Sequence, residues 1–257
     1  MASAANLRLQ IESTLANRVP AALSPKIKQS PELFPTRIAA IDALLGGGIP
    51  RGAITQVSGP GSSGKTSFAL SAFASITQSG AACAWVDVSD SFSPESAAAA
   101  GIHLKRLLWL RMATERRARI AGKPWSQLDQ ALKSTDLLLQ AGGFATIVLD
   151  LSDIHSQIAM RIPLATWHRF RLAAEHARSA LLVLTQAPCA SSCAALTLRC
   201  ESPGVLPFSE RGETALFERQ DYILTRERNR NEGSVIPFKK PPTRAEWRAE
   251  STWSRVR

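Results

Sequence analysis

Gly59-Pro60-Gly61-Ser62-Ser63-Gly64-Lys65-Thr66 is the stretch on which the fold turns. Glycine at 59, 61 and 64 lets the chain curl so that successive backbone N–H groups point inward, forming a cradle for phosphate oxygens. Lys65 reaches the β- and γ-phosphates of a nucleotide, and the Thr66 hydroxyl ligates magnesium. A Ser/Gly-rich turn without a ligand is the plainer reading, but it does not account for the flanks. Upstream, Ile54-Thr55-Gln56-Val57-Ser58 is β-prone. Downstream, Ala69, Ala72, Phe73 and Ile76 share one helical face, and Gly80 is a natural stop. Strand, loop and helix is the context a phosphate loop needs, with the positive end of the helix facing the anion. A nucleotide with Mg2+ is therefore expected on Gly59, Pro60, Gly61, Ser62, Ser63, Gly64, Lys65 and Thr66.

The bulk numbers fit one large α/β domain with small appendages: 257 residues, 45% of them apolar. Lys and Arg outnumber Asp and Glu by 31 to 21, a net charge of +10. That favours an acidic partner, nucleic acid first, over a merely basic surface. Cys83, Cys189, Cys193 and Cys200 form no C-x-x-C pair and have no clustered histidine, so idle thiols in a reducing cytosol are expected rather than zinc. No apolar run reaches membrane-spanning length, and the N-terminus lacks a basic-then-apolar signal. A soluble, cytoplasmic protein without membrane contact is expected.

Outward from the loop, residues 83–88 read as a strand followed by the acidic turn Ser89-Asp90. Ala145-Thr146-Ile147-Val148-Leu149-Asp150 is a continuous apolar strand ending in a carboxylate, as in a parallel sheet buried on both faces. Asp150 then lies at the carboxyl edge beside the loop, where it holds Mg2+ through water. Residues 180–185 form a second such strand, which ends at Gln186. Ser126 caps a helix that Gly142-Gly143 ends. Residues 1–33 are expected as an amphipathic helix plus a proline-containing linker, 34–238 as the nucleotide-binding core, and 239–257 as a basic tail. That tail, with Trp247 and Trp253, can stack on single strands, dock a partner or lie disordered. Residues 111–124, with Arg111, Arg116, Arg117, Arg119 and Lys123, read as a basic loop that either grips phosphates or is simply solvated.

The run 36–52, with Asp42, Gly47, Gly48, Pro50 and Gly52 in place, followed by residues 58–66, resembles the start of the RecA recombinase core. The resemblance extends over about residues 34 to 239. It implies an α/β, RecA-like phosphate-loop core with a mostly parallel central sheet flanked by helices, and no separate C-terminal domain. It also implies ATP and Mg2+ as cofactors, and single-stranded DNA and further RecA-type subunits as partners. Lys65 and Gln186 would be catalytic, with Gln186 sensing the γ-phosphate. Arg228-Asn229-Arg230, followed by Pro237-Phe238-Lys239, resembles the family's cations that reach a neighbour's ATP. Arg228 and Arg230 would then act as arginine fingers; otherwise they decorate a water-exposed basic hairpin.

The departures are specific. The family's catalytic glutamate aligns with Ser89, and its adenine-stacking tyrosine aligns with Ser96. Serine takes a proton from water poorly, so ATP binding is implied more strongly than fast hydrolysis. The segments after Asp150 and Gln186, which in the family carry mobile DNA-binding loops, are shorter here, and residues 187–194 include no basic side chain. The shortened loops are similar to the ImuA-type accessory proteins of damage-induced (SOS) mutagenesis. That likeness implies a translesion polymerase or its accessory protein as a partner. A recombinase role in DNA repair and recombination and such an accessory role are the two leading expectations. A small kinase or unrelated phosphate-loop enzyme has no use for the lead-in.

Overall fold

A computed structural model describes residues 32–112, 119–120, 123–124, 126–203, 219–229 and 242–250, together with Asn6 and Ser13. The chain forms two units, Met1–Ser30 and Pro31–Arg257. In the first, Asn6 and Ser13 are helical, and the rest of the expected helix lies outside the described residues.

The second unit begins with β1 (Leu33–Phe34), which pairs antiparallel with β2 (Ile49–Pro50) around the helix Ala39–Leu45. Asp42 explains why the lead-in needs an aspartate. Its carboxylate accepts hydrogen bonds from the Thr36 N–H at 2.7 Å, the Thr36 hydroxyl at 2.8 Å and the Arg37 N–H at 3.1 Å. This closes the turn into the helix. Arg37 takes a left-handed backbone there, with φ 64°. A side chain with a Cβ costs roughly 1–2 kcal/mol in that region, partly offset by the greater unfolded-state freedom of glycine. Arg37→Gly is therefore expected to stabilise the fold by about 0.5–1 kcal/mol, read as a higher urea midpoint at unchanged slope.

The main sheet follows from short apolar strands buried on both faces. In chain order they are β3 (Ile54–Ser58), β4 (Cys83–Asp87), β5 (Leu107–Arg111), β8 (Thr146–Asp150), β9 (Ala180–Thr185), β10 (Ala194–Glu201), β11 (Arg219–Asn229) and β12 (Arg244–Glu250). Between them, β6 (Arg119–Ile120) and β7 (Lys123–Pro124) form a separate two-stranded ladder. The sheet order is β12-β11-β10-β3-β9-β8-β4-β5. From β10 to β5 all pairs are parallel, while β11 and β12 add antiparallel at one edge. The helices Ala39–Leu45 and Lys65–Gln78 contribute to the core on one face. The helices Gln127–Ala141 and Leu164–Ala177 contribute to the core on the other. Helix Gln127–Ala141 starts on the expected Ser126 cap, a capping box with Asp129.

Two expectations change. Residues 239–257 do not read as a tail throughout, because Arg244–Glu250 is the edge strand β12 and its Trp247 is buried against Tyr222. Trp253 lies outside the described residues. Alternation places Ala245 and Trp247 inward with Arg244, Glu246 and Arg248 exposed, a period-2 pattern masked in sequence by the charges. Arg111 belongs to β5, not to a basic loop, while residues 113–118, Arg116 and Arg117 among them, lie outside the described residues. The stretch after Gln186, expected to be shortened, is a pinned crossing. It must carry the chain from β9 across β3 to β10, and the Gln56 side chain, on β3, accepts from the Cys189 N–H (3.3 Å) and the Ala190 N–H (2.8 Å). Cys189, Ala190 and Cys193 are buried beneath this crossing.

Candidate nucleotide site

Parallel strands bring the residues singled out in the sequence to one edge. β3 ends at Ser58, in register with Thr185 of β9, and Leu184 of β9 pairs with Asp150 of β8. The phosphate loop, Gln186 and Asp150 therefore leave the sheet from adjacent carboxyl ends, the usual ligand edge of such sheets.

The loop has the shape its sequence requires. Gly64 caps the helix Lys65–Gln78 with φ 91° and no side-chain hydrogen bond, which leaves the first-turn amides without a side-chain cap. Ser62 also has positive φ, 57°. A Cβ on Gly59 would lie 2.2 Å from the Cys200 carbonyl oxygen, whereas one on Gly61 would meet nothing within 4 Å. The back of the loop is thus pressed on β10 while its mouth is open. The Lys65 ammonium, almost fully buried, donates to the Gly59 carbonyl at 2.7 Å, the Pro60 carbonyl at 2.6 Å and the Ser63 hydroxyl at 3.3 Å. Burial lowers its pKa, and the charges of Asp150 and Asp153 act in the opposite direction. Asp150 is buried too, which raises its carboxyl pKa, and the Ser152 N–H donates to it at 3.0 Å. Thr66 is exposed at the loop's end. The site thus offers uncapped first-turn amides, a lysine bonded only to neutral oxygens, an exposed threonine hydroxyl and a buried aspartate. These are the donors and acceptors that a nucleotide phosphate with magnesium requires, so the residues fit that group.

Other residues stand apart from this chemistry. Ser89 is exposed. Its neighbour Asp90 is forked by Arg111 at 2.6 and 2.5 Å, and this pairing holds the Asp90 carboxyl below the ordinary aspartate range. Asp87 accepts from the Ser91 and Phe92 N–H groups and from the Trp109 indole, which commits it to the turn. Gln186 donates to the Ser152 carbonyl at 3.1 Å, linking the ends of β9 and β8. Arg228 is not at this edge. β11 runs antiparallel, so Arg228 lies opposite Thr197, which pairs with Gln56, and its guanidinium donates to the Ser191 and Ala194 carbonyls. Its guanidinium is thus engaged away from its own chain's loop. Arg230 lies outside the described residues.

Sequence reading missed the wall behind the loop. The Cys200 thiol donates to the Ser63 carbonyl at 2.8 Å, and the Tyr222 ring lies against Gly64. The available signals were a polar Gln56 inside an apolar strand and the single tyrosine of the chain. The four cysteines are free and buried, and burial pushes Cys83, Cys189 and Cys200 up to about 12, so these three are neutral thiols at physiological pH.

A phosphate loop following an inner strand, with the acidic strand two places away across β9, defines the RecA-type class of α/β folds. Comparison with known proteins agrees. The RecA N-terminal domain family matches residues 5–156. Protein RecA of Mycobacterium ulcerans (strain Agy99) is 32% identical over 142 residues, covering 55% of this chain and 37% of that protein. Protein RecA of Saccharopolyspora erythraea is 38% identical over 120 residues, 46% of this chain and 31% of that protein. The matched stretch thus spans about a third of these relatives' length. A crystal structure of the RadB recombinase superposes with TM-score 0.56 at 20% identity, covering 84% of this chain and 96% of that one, a likeness of fold. The chain belongs to the RecA family. No helix among the described residues is long and apolar enough to cross a membrane.

Proposed function

We propose that this chain is an ATP-binding RecA-family protein of DNA repair or recombination that holds ATP·Mg2+ far better than it hydrolyses it. The observation that carries the reading is the pairing of an open phosphate cradle with a turn that offers no free carboxylate. Lys65 and the loop amides bind the phosphates, while Thr66 and Asp150 hold the magnesium. When bound, the metal neutralises phosphate charge and orients the terminal phosphoryl group. Gln186, tied to the strand that ends at Asp150, links the state of the nucleotide to the turn at Ser152. At the position of the family's glutamate, however, Ser89 cannot serve as a base and Asp90 is turned onto Arg111.

Arg228 serves a nucleotide only if a second RecA-type subunit stacks head to tail, since it projects from the wrong end of its own sheet. The pinned crossing over residues 187–193 favours a second reading, an accessory factor of translesion synthesis in the DNA-damage response that works through a polymerase partner. It leaves little slack for a segment that closes on single-stranded DNA. ATP turnover with and without single-stranded DNA decides between them. We expect ATP binding with turnover below about 0.01 per second and little stimulation by DNA, well under the median enzyme near 10 per second. Strong DNA-stimulated turnover would overturn the proposal.

A further inference from the structure

The phosphate loop has a feature behind it that the nucleotide reading does not use. Tyr222 projects from β11 just beyond the point where Glu201 of β10 pairs with Ile223, so it emerges beneath the loop. A Cβ on Gly64 would fall 2.4 Å from Cδ1 and 2.7 Å from Cε1 and Cγ of that ring. The ring is therefore in face contact with the Gly64 backbone. On its other side it stacks on Trp247 of β12, with centroids 4.8 Å apart and planes tilted by 34°. Both aromatic residues are 6% exposed, and the Trp247 indole N–H has no hydrogen-bond partner among the described residues, so packing is what Trp247 contributes. Ser67, in the first turn of the helix that follows the loop, lies beside the Tyr222 hydroxyl.

We propose that Tyr222 is a positioning residue of the phosphate loop: its ring, backed by Trp247, holds Gly64 and the start of helix Lys65–Gln78 in the conformation that accepts phosphate. The physical reason is geometric. Gly64 sits at φ 91°, a conformation open to many alternatives for glycine. A rigid aromatic surface with two side-chain torsions removes those alternatives at little entropic cost. Gly64 is then required twice, by its backbone angle and by the ring against it. The consequence reaches the edge of the sheet, because β11 and β12 become part of the nucleotide site through their packing on Gly64.

The proposal rests in part on the nucleotide reading, and the test separates the two. Tyr222→Phe keeps the ring and loses only the hydroxyl. Tyr222→Ala removes the ring. Leu139→Ala removes a buried side chain from the core on the other face of the sheet and controls for general loosening. Two quantities are measured on the full chain: amide hydrogen exchange of the peptide spanning 59–68 without nucleotide, and affinity for a fluorescent ATP analogue with Mg2+. Tyr222→Ala is expected to speed exchange in that peptide and weaken binding about ten-fold, with Tyr222→Phe within about two-fold of the parent. Leu139→Ala is expected to lower the melting temperature without changing either. Unchanged loop exchange in Tyr222→Ala, or equal loop exchange in Leu139→Ala, would overturn the positioning role. If the parent binds no ATP, the nucleotide reading falls while the exchange measurement still decides the role of Tyr222.

Discussion

Lys65→Ala is expected to lower affinity for ATP·Mg2+ by on the order of 100-fold or more. The Lys65 ammonium is 4% exposed and its three hydrogen-bond acceptors, two carbonyls and a hydroxyl, are neutral. A cation held in this way without a contacting carboxylate has a large unmet demand for an anion. Charge-assisted hydrogen bonds contribute about 1.5–3 kcal/mol each, and two of them to phosphate oxygens account for the loss. Thermal denaturation offers a second reading of the same quantity. At a nucleotide concentration about 100 times the dissociation constant, the parent gains about 2.7 kcal/mol of stability. The variant at that concentration gains less than about 1 kcal/mol by the same relation. A variant that binds ATP like the parent would remove Lys65 from the site.

The second large effect separates two glycines of one motif. Gly59→Ala places a methyl 2.2 Å from the Cys200 carbonyl oxygen and 2.8 Å from the Ser63 hydroxyl oxygen, and the first of these is backbone that cannot rotate away. The loop or β10 must shift, which strains the Gly59 N–H bond to the Thr185 carbonyl. Overpacking of this kind costs about 3 kcal/mol, visible as a lower urea midpoint before any ligand is added. Gly61→Ala meets nothing within 4 Å. Its folding stability is expected to stay within about 0.5 kcal/mol of the parent. Its nucleotide affinity is nevertheless expected to drop about ten-fold, because its methyl projects where phosphate oxygens approach the amides. Equal stability losses at the two positions would show that the loop does not rest on β10.

Much of this was legible in the chain because its signals are local. The phosphate-loop pattern at 59–66, the apolar runs ending at Asp150 and Gln186, and the Ser126 cap each depend on residues close in sequence, whose spacing reports strand, turn or helix directly. The pairing of Thr36 with Asp42 is local too, which is why the lead-in carried the family resemblance. Where the reading went astray, contacts distant in sequence decided the outcome. Arg111 seemed one of a basic run, but the β4–β5 register sets it opposite Asp87 and within reach of Asp90. Residues 239–257 read as a basic tail, but alternate side chains of Arg244–Glu250 face solvent at the sheet edge, and Tyr222 of β11 gives Trp247 a surface to cover.

The phosphate loop, its lead-in and the acidic strand were determined by the sequence alone, since backbone curvature at glycine and the burial of apolar runs leave few other outcomes. Only the tertiary structure decided what presses on that loop and what lies out of its reach. Sheet order places Cys200 and Tyr222 behind it, although a long stretch of chain separates them from it. Antiparallel pairing sets Arg228 opposite Thr197, with its guanidinium turned to the Ser191 and Ala194 carbonyls at the amino end of β10. Neither result can be read from spacing along the chain, because strand order and direction are fixed by the joint packing of both sheet faces.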